Sequence, residues 1–176
     1  MRKLIIFIAS TLDGYIAKPN DDLSFLKIVE KEGEDYGYAE FTTTIDTIIV
    51  GRKTYDWVLR EIGPSHYDNG SRNVYVITRT ERPGVGRTTF TGDLAELVHN
   101  LKNEVGKDIY CDGGAEIINE LLQRGLIDEF VISVIPILVG NGTRLFKDNR
   151  PEQQLKLVNT KTFETGLVQL HYKRID

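Results

Sequence analysis

Cysteine and histidine are scarce in this chain. Cys111 is the only cysteine among 176 residues, so no disulfide can form within the chain. The three histidines, His66, His99 and His171, are far apart, and no group of cysteine and histidine residues has the spacing of a metal site. We therefore expect a protein that folds without a disulfide or a bound metal, and a reducing cytoplasm is the compartment that this composition favours.

Long apolar runs and an excess of positive charge are also missing. The apolar run at residues 4–9 is much shorter than the roughly 20 residues that span a bilayer, and Asp13 and Gly14 follow it before any signal-peptide pattern is complete. With 22 basic against 26 acidic residues, the net charge is -4 at pH 7. These features predict no membrane partner and no nucleic-acid partner, so any anion that binds must be held locally.

Apolar segments of strand length alternate with segments of helical period along the chain, which is typical of helices packed on a largely parallel sheet. The predicted strands cover residues 4–9, 47–50, 74–77, 109–111 and 130–135, and the predicted helices cover 35–41, 55–62, 94–101 and 117–122. Residues 168–172 alternate between apolar and polar, and they predict a strand paired antiparallel with residues 155–160. The pattern predicts one domain over residues 1–176, a three-layer α/β fold with a mostly parallel central sheet and an antiparallel C-terminal strand.

Two of the predicted strands end in glycine turns that lead into helices. Gly51 follows the strand at 47–50, and Gly113 and Gly114 follow the strand at 109–111. Because the carboxyl ends of parallel strands meet at one edge of a sheet, we expect both turns to open onto the same edge, where helix N-termini bind phosphate groups. The alternative is that these glycines only make tight turns between strand and helix, since short glycine motifs are common.

Neither of the two common nucleotide-binding fingerprints is present. The sequence contains no G-x-x-x-x-G-K-[ST], and the Gly-x-Gly patterns at 84–86 and 140–142 lack the third glycine of a dinucleotide fingerprint. If the glycine turns bind a nucleotide, they must do so within a different fold.

Four segments of the sequence occur in the order found in the dihydrofolate reductase superfamily. They are the opening residues 8–17, the turn at 47–54, the strand end at 78–80 and the turn at 112–115. Residues 12–14 and 135–146 are similar in particular to the reductase domain of bifunctional riboflavin-biosynthesis proteins. The resemblance covers nearly the whole chain, and it implies a dihydrofolate reductase-like fold that uses NADPH to reduce a nitrogen heterocycle.

The resemblance also implies a set of cofactor-binding residues. Gly51, Arg52, Lys53 and Thr54 form the turn that matches the binding site for the cofactor's phosphates, and Thr78 and Arg79 match the residues that meet the phosphate on the adenosine ribose. Gly113, Gly114, Ala115 and Glu116 match the turn that covers the diphosphate and nicotinamide, and Ala9 and Ile16 match positions whose backbone touches the nicotinamide and the substrate ring. Guanidinium groups bind phosphate in a bidentate manner, so Arg52 and Arg79 would select NADPH over NADH. The alternative for Arg79 is an ordinary surface position.

Hydride transfer to an imine or carbonyl carbon also needs a proton donor, and two aspartates are candidates. Asp22 lies in residues 21–27, which resemble the segment of bacterial dihydrofolate reductases that carries their single substrate carboxylate. Asp13 is the second candidate. The alternatives are that Asp22 is a solvated acid or a helix cap, and that Asp13 and Gly14 form a turn. The chain differs from the usual reductases in its longer segment at 27–51 and in lacking their tryptophan-rich loop.

The nearest precedent within the resemblance is the reductase of riboflavin biosynthesis that acts on 5-amino-6-(5-phosphoribosylamino)uracil, and dihydrofolate reductase activity is the second option. The chain lacks the Cys-x-x-Cys and the zinc motif of the deaminase half that accompanies this reductase in bifunctional proteins. A noncatalytic nucleotide-binding protein is the alternative from another class. We also expect a small heterocyclic substrate and a homodimer formed through the C-terminal strands, because exposed sheet edges favour pairing.

Overall fold

The computed structural model describes residues 1–67, 71–80 and 82–175. In these ranges the chain forms ten strands: β1 Leu4–Thr11, β2 Tyr15–Ala17, β3 Ile45–Gly51, β4 Asn73–Ile77, β5 Thr88–Thr91, β6 Asp108–Gly113, β7 Glu129–Ile135, β8 Thr143–Arg144, β9 Leu155–Thr162 and β10 Val168–Arg174. The same ranges contain four α-helices, α1 Tyr38–Thr43, α2 Arg52–Glu61, α3 Leu94–Asn103 and α4 Ala115–Gln123, and short 3-10 helices at Pro19–Asp21, Ser24–Val29 and Pro64–His66. Within the described residues, no helix is long and apolar enough to cross a membrane.

Eight of the described strands form one sheet, in the order β5-β4-β3-β6-β1-β7-β10-β9. Neighbouring strands from β5 to β7 are all parallel. β10 pairs antiparallel with β7, and β9 pairs antiparallel with β10. A separate antiparallel pair is formed by β2 and β8. The predicted sheet, mostly parallel with an antiparallel C-terminal strand, is confirmed.

Helices cover both faces of this sheet. On one face, α3 and α4 pack Val98 and Leu121 against a core that includes Ile49 of β3. On the other face, Val58 of α2 and Phe41 of α1 belong to a second core. The continuous apolar runs of β1 and β3 suit strands that are buried on both faces. The predicted three-layer fold is confirmed, and it leaves the carboxyl ends of the parallel strands as an open edge.

The secondary structure differs from the sequence-based prediction at the start of α1 and in three short strands that were not predicted, β2, β5 and β8. The helix predicted from residue 35 begins at Tyr38, because the Asp35 carboxylate accepts hydrogen bonds from the amides of Gly37 and Ala39, both at 2.9 Å, and so makes a turn before the helix. Strand β5 was not predicted, since a polar segment of four residues carries little pattern. The segment is a strand because it pairs with β4, and this pairing cannot be predicted from the local sequence.

Candidate active site

The two glycine turns lie against each other at the open edge of the sheet. A Cβ atom on Gly51 would lie 2.9 Å from Ile117 Cγ1 and 3.4 Å from the amide nitrogen of Gly114. A Cβ atom on Gly114 would lie 2.8 Å from the Thr54 hydroxyl oxygen. Both approaches are closer than a side chain tolerates, so these glycines allow the start of α2 to pack against the start of α4. The turns open onto the same edge, as the sequence predicted, but protein atoms already fill the space beside each glycine.

Evidence for a ligand comes instead from the ends of the helices. Neither α2, which begins after Gly51, nor α4, which begins after Gly114, has a side chain that caps its N-terminus. Helix α3 differs, because the Asp93 carboxylate accepts a hydrogen bond of 2.9 Å from the amide of Glu96. The first-turn amides of α2 and α4 therefore have no side chain that accepts their hydrogen bonds. Because the two helix ends are in contact, their amides could together bind a diphosphate.

Positive charge accompanies these helix ends. Arg52 donates from Nε to Asp56 at 2.6 Å, and the pair is partly exposed. Lys53 is exposed on the first turn of α2, and Arg79 is exposed just beyond the end of β4. In the described part of the chain, neither Lys53 nor Arg79 has an ion-pair partner. β4 is the parallel neighbour of β3, with Ile77 beside Gly51, so Arg79 belongs to the same edge.

The remaining residues that the sequence assigned to the cofactor lie around this edge. Thr78 donates its amide to Thr91 O at 2.8 Å, and its hydroxyl accepts from the Thr80 amide at 3.2 Å. Ala9 lies near the end of β1, beside Ser133 of β7, and Ala115 is buried at the start of α4. Glu116 is exposed and accepts a hydrogen bond from Lys147 Nζ. Ile16, on β2, packs against the main core beside β1.

Asp13, one of the two predicted proton donors, holds two loops together. Its carboxylate accepts hydrogen bonds from the Thr11 hydroxyl at 2.5 Å and from the amides of Val139 and Gly140 at 3.0 and 2.7 Å. The bond from Thr11 and the bonds from these amides lower the pKa of the Asp13 carboxyl. The two amides belong to a loop far along the chain from Asp13, so these contacts favour a structural role for Asp13.

Asp22, the other predicted donor, is an exposed residue next to a short helix. Its carboxylate accepts hydrogen bonds from the amide of Ser24 at 2.7 Å and from the Ser24 hydroxyl at 3.1 Å, at the start of the 3-10 helix Ser24–Val29. Lys18 Nζ lies 3.6 Å away. The bonds from Ser24 and the charge of Lys18 lower the pKa of the Asp22 carboxyl. The exposure of Asp22 matches one of the alternatives that the sequence left open, a solvated acid.

A third carboxyl group lies at this edge, and it is largely buried. Asp112 precedes Gly113 in β6, and its side chain is 16% exposed. It accepts hydrogen bonds from the hydroxyls of Tyr67 at 2.5 Å and Tyr110 at 2.7 Å, while His66 Nε2 lies 3.9 Å away. Burial raises the pKa of the Asp112 carboxyl, but the interactions with His66 and the two tyrosines outweigh burial and leave the pKa below its ordinary value. The site therefore contains an ionised carboxylate shielded from most of the solvent.

With this geometry established, comparison with known proteins identifies the family. Residues 2–169 match the family model of the RibD C-terminal domain. The chain belongs to the RibD C-terminal domain family. Among curated proteins, the uncharacterized protein YwjB of Bacillus subtilis (strain 168) is 38% identical over 175 residues, which cover 98% of this chain and 98% of YwjB.

Solved structures place this RibD C-terminal domain among dihydrofolate reductase-like proteins. A "Putative riboflavin biosynthesis protein" from Shewanella sp. PV-4 superposes with a TM-score of 0.88 at 28% identity, covering 99% of both chains. The dihydrofolate reductase of Enterococcus faecalis, complexed with NADP(H) and RAB-propyl, superposes with a TM-score of 0.65 at 17% identity, covering 99% of this chain and 97% of that one. The resemblance drawn from the sequence motifs is confirmed.

Two cavities of this RibD C-terminal domain, each of about 300 Å³, lie away from the glycine turns. One lies between α1 and the sheet and is lined by residues such as Phe41, Glu129 and His171. The other lies on the opposite face, beside the end of β1, and is lined by Leu12, Phe146 and other apolar residues. Neither of these two cavities is the candidate cofactor site.

Asp112 and its partners are the site residues that sequence reasoning missed. The sequence places an acid directly between an apolar strand and two glycines, and this is a signal for Asp112 that could have been used. No comparable signal marks Tyr67, which is 45 positions away in the chain, or His66 beside it. They reach Asp112 because the 3-10 helix Pro64–His66 follows α2 and carries both residues back toward the end of β6.

Proposed function

We propose that this protein is an NADPH-dependent reductase of a nitrogen heterocycle or of its ribosylamino derivative. The observation that carries the proposal is the contact between two uncapped helix N-termini, those of α2 and α4, at an edge that also presents Arg52, Lys53 and Arg79. Membership of the RibD C-terminal domain family supports a reductase. The precedent in riboflavin biosynthesis favours 5-amino-6-(5-phosphoribosylamino)uracil as the type of substrate.

The residues at this edge fit NADPH. The free amides at the starts of α2 and α4, with Arg52 and Lys53, would hold the diphosphate, because helix N-termini and cations both favour negative charge. Thr78 and Arg79 would meet the phosphate on the adenosine ribose, which NADH lacks. The NADP(H) bound to the Enterococcus faecalis reductase, which shares the fold, supports this assignment. When bound, NADPH supplies the hydride of the reaction.

We infer that Asp112 is the carboxylate that faces the substrate. Among the three aspartates considered, Asp13 and Asp22 are engaged by loop and helix amides near the surface, whereas Asp112 is largely buried next to the glycine turn. An ionised carboxylate in a poorly solvated site binds the N–H groups of a nitrogen heterocycle strongly. Asp112 would thereby orient the ring and stabilise a protonated ring nitrogen, the form that accepts a hydride on the adjacent carbon most readily.

Cofactor affinity and turnover test the proposal separately. The binding of NADPH and NADH to the purified protein is measured first by calorimetry. The absorbance of the reduced nicotinamide is then followed after addition of 5-amino-6-(5-phosphoribosylamino)uracil, or of dihydrofolate. We expect tighter binding of NADPH than of NADH, and NADPH oxidation with the uracil derivative.

Three outcomes would change the conclusion. Oxidation with dihydrofolate alone would favour dihydrofolate reductase activity. Tight NADPH binding without turnover on either compound would favour a noncatalytic nucleotide-binding protein. Absence of affinity for both reduced nucleotides would overturn the cofactor assignment.

A further inference from the structure

Among the described residues, His66 lies beside the inferred substrate carboxylate, Asp112, and is more exposed than it. The imidazole Nε2 lies 3.9 Å from Asp112 Oδ2, and the His66 side chain is 24% exposed against 16% for Asp112. The ring packs edge-on against Tyr67, with centroids 4.8 Å apart. The separation from Asp112 is slightly longer than a hydrogen bond, a gap that a small rotation of the ring or one water molecule closes.

The other groups around Asp112 cannot exchange protons near neutral pH. Burial and the charge of Asp112 raise the pKa values of Tyr67 and Tyr110 far above 10.0. Burial, followed by the charge of Asp112, raises the pKa of Tyr38 on α1 to about 12, although Arg72 acts in the opposite direction. The Arg72 Nη2 donates a hydrogen bond to Thr42 O at 3.0 Å.

Among the described groups that act on Asp112, His66 is the histidine, the residue type that most often transfers protons in enzymes. Tyr55 of α2 stacks on Tyr67, with ring centroids 5.2 Å apart. The His66 side chain is more exposed than that of Asp112, so His66 offers a side-chain route between solvent and Asp112.

We propose that His66 relays protons from solvent to Asp112 during substrate reduction. The inference rests on the proposed function. Reduction of a C=N bond breaks its π bond, and the carbon gains a hydride while the nitrogen gains a proton. The nitrogen takes this proton from the Asp112 carboxyl group, which carries it transiently, and the His66 imidazolium returns a proton to the carboxylate. Solvent then reprotonates His66, so one proton is consumed for each hydride transferred.

Because His66 acts through Asp112, it is a positioning residue in this scheme. H66Q keeps a nitrogen donor near Asp112 but cannot transfer a proton, and H66A opens space for added imidazole. H99Q is the matched control, because His99 is an exposed histidine on α3 whose contacts are with Asn103. Thermal unfolding establishes that each variant is folded, and H66Q alone suffices if H66A is not.

Two measurements test the relay. The first is single-turnover NADPH oxidation with 5-amino-6-(5-phosphoribosylamino)uracil and with dihydrofolate, as a function of pH and in H₂O and D₂O. We expect H66Q to lower the rate by about tenfold or more and to increase the solvent isotope effect, whereas H99Q matches the natural protein. Added imidazole should restore part of the rate of H66A.

The second measurement needs no substrate. The carboxyl ¹³C resonance of Asp112, assigned by its loss in D112N, reports the pKa of this group. Because His66 lowers that pKa, we expect H66Q to raise it and H99Q to leave it unchanged.

The two measurements separate the failure of the relay from the failure of the proposed function. An H66Q variant with the natural rate and pH profile would overturn the relay, as would an Asp112 pKa that does not respond to H66Q. An H66A variant that is slow but gains nothing from imidazole would reduce His66 to a structural role. If the natural protein oxidises NADPH with neither compound, the proposed function is overturned and the relay falls with it, whatever the ¹³C titration shows.

Discussion

The hydroxyl oxygen of Thr54 lies 2.8 Å from the point where a side chain on Gly114 would begin. Thr54 is on the first turn of α2, and Gly114 is the residue before α4. This contact joins two helices that follow different strands, β3 and β6, and it brings their N-termini together at one edge of the sheet. The geometry of the candidate cofactor site therefore depends on the absence of a side chain at residue 114.

The first prediction concerns this contact. G114A should destabilise the protein by about 1–3 kcal/mol, because the new methyl group overlaps the Thr54 hydroxyl. T54A removes that hydroxyl, so the double variant G114A/T54A should lose less stability than the sum of the two single variants. Urea unfolding of the four proteins measures this coupling. Strictly additive losses would show that the two residues do not restrain each other.

The second prediction concerns selection between the two nicotinamide cofactors. If Arg79 binds the phosphate on the adenosine ribose, R79A should weaken NADPH binding by about 10- to 100-fold, corresponding to the loss of a charge-assisted hydrogen bond of about 1.5–3 kcal/mol, and leave NADH binding nearly unchanged. Calorimetric titration with both nucleotides tests this. R60A is the control, since Arg60 is an exposed arginine in the last turn of α2. Equal weakening of both cofactors would remove the assigned role.

The third prediction ranks the three aspartates. D112N should lower the rate of substrate reduction by about 10²- to 10⁴-fold, the usual effect of losing an acid–base group. D22N should leave the rate close to that of the natural protein, because Asp22 is exposed and its carboxylate contacts Ser24 and Lys18. D13N should lower the melting temperature more than D22N does, because it weakens contacts with both Val139 and Gly140. If D22N is as slow as D112N, Asp22 is also needed for substrate reduction, and the ranking is wrong.

The fourth prediction concerns stability in alkaline solution. Burial raises the pKa of the Cys111 thiol from 9.0 to about 12. Above pH 9.0 the thiol ionises in the unfolded chain but stays protonated in the folded one, so the unfolded state binds fewer protons and stability falls as the pH rises toward 12. In C111S this contribution is absent, so its free energy of unfolding should fall less steeply with pH. The slopes of the two proteins should differ by up to about 1.4 kcal/mol per pH unit.

Urea unfolding of the natural protein and C111S, on both sides of the pKa of a free thiol, measures the difference between the two slopes. The buried tyrosines affect both proteins equally and cancel in this comparison. Parallel pH dependences would show that the thiol ionises as readily in the folded protein as in the unfolded one.

The fifth prediction concerns self-association. All eight residues of the edge strand β9 are exposed, including Leu157 and Val158, which are 50% and 48% exposed. We propose that a second copy of the chain pairs with this edge, since an apolar edge strand favours pairing. Light scattering should then detect a dimer, and L157K should shift it toward the monomer. V105K is the control, because Val105 is equally apolar and fully exposed but lies outside the sheet. A monomer at high protein concentration would refute the proposal.

Much of the fold follows from local patterns. The apolar runs of β1 and β3, the alternation in β10 and the helical spacing in α3 and α4 are short-range features, and each formed the predicted element. The start of α1 was misplaced because the Asp35 side chain competes with the helix for backbone amides. β5 was missed because its pairing with β4, and not its own composition, makes it a strand.

The candidate site also has one part that follows from the sequence and another that follows only from tertiary packing. The order of strand, glycine and helix along the sequence determined where the two turns meet, because parallel strands bring their carboxyl ends to one edge whatever their loops contain. Which carboxyl group lies buried there was decided only by the tertiary structure. The exposure of Asp112 and the hydrogen bonds from Tyr67 and Tyr110 exist only once distant segments have packed together, and burial and hydrogen bonding are what distinguish it from Asp13 and Asp22.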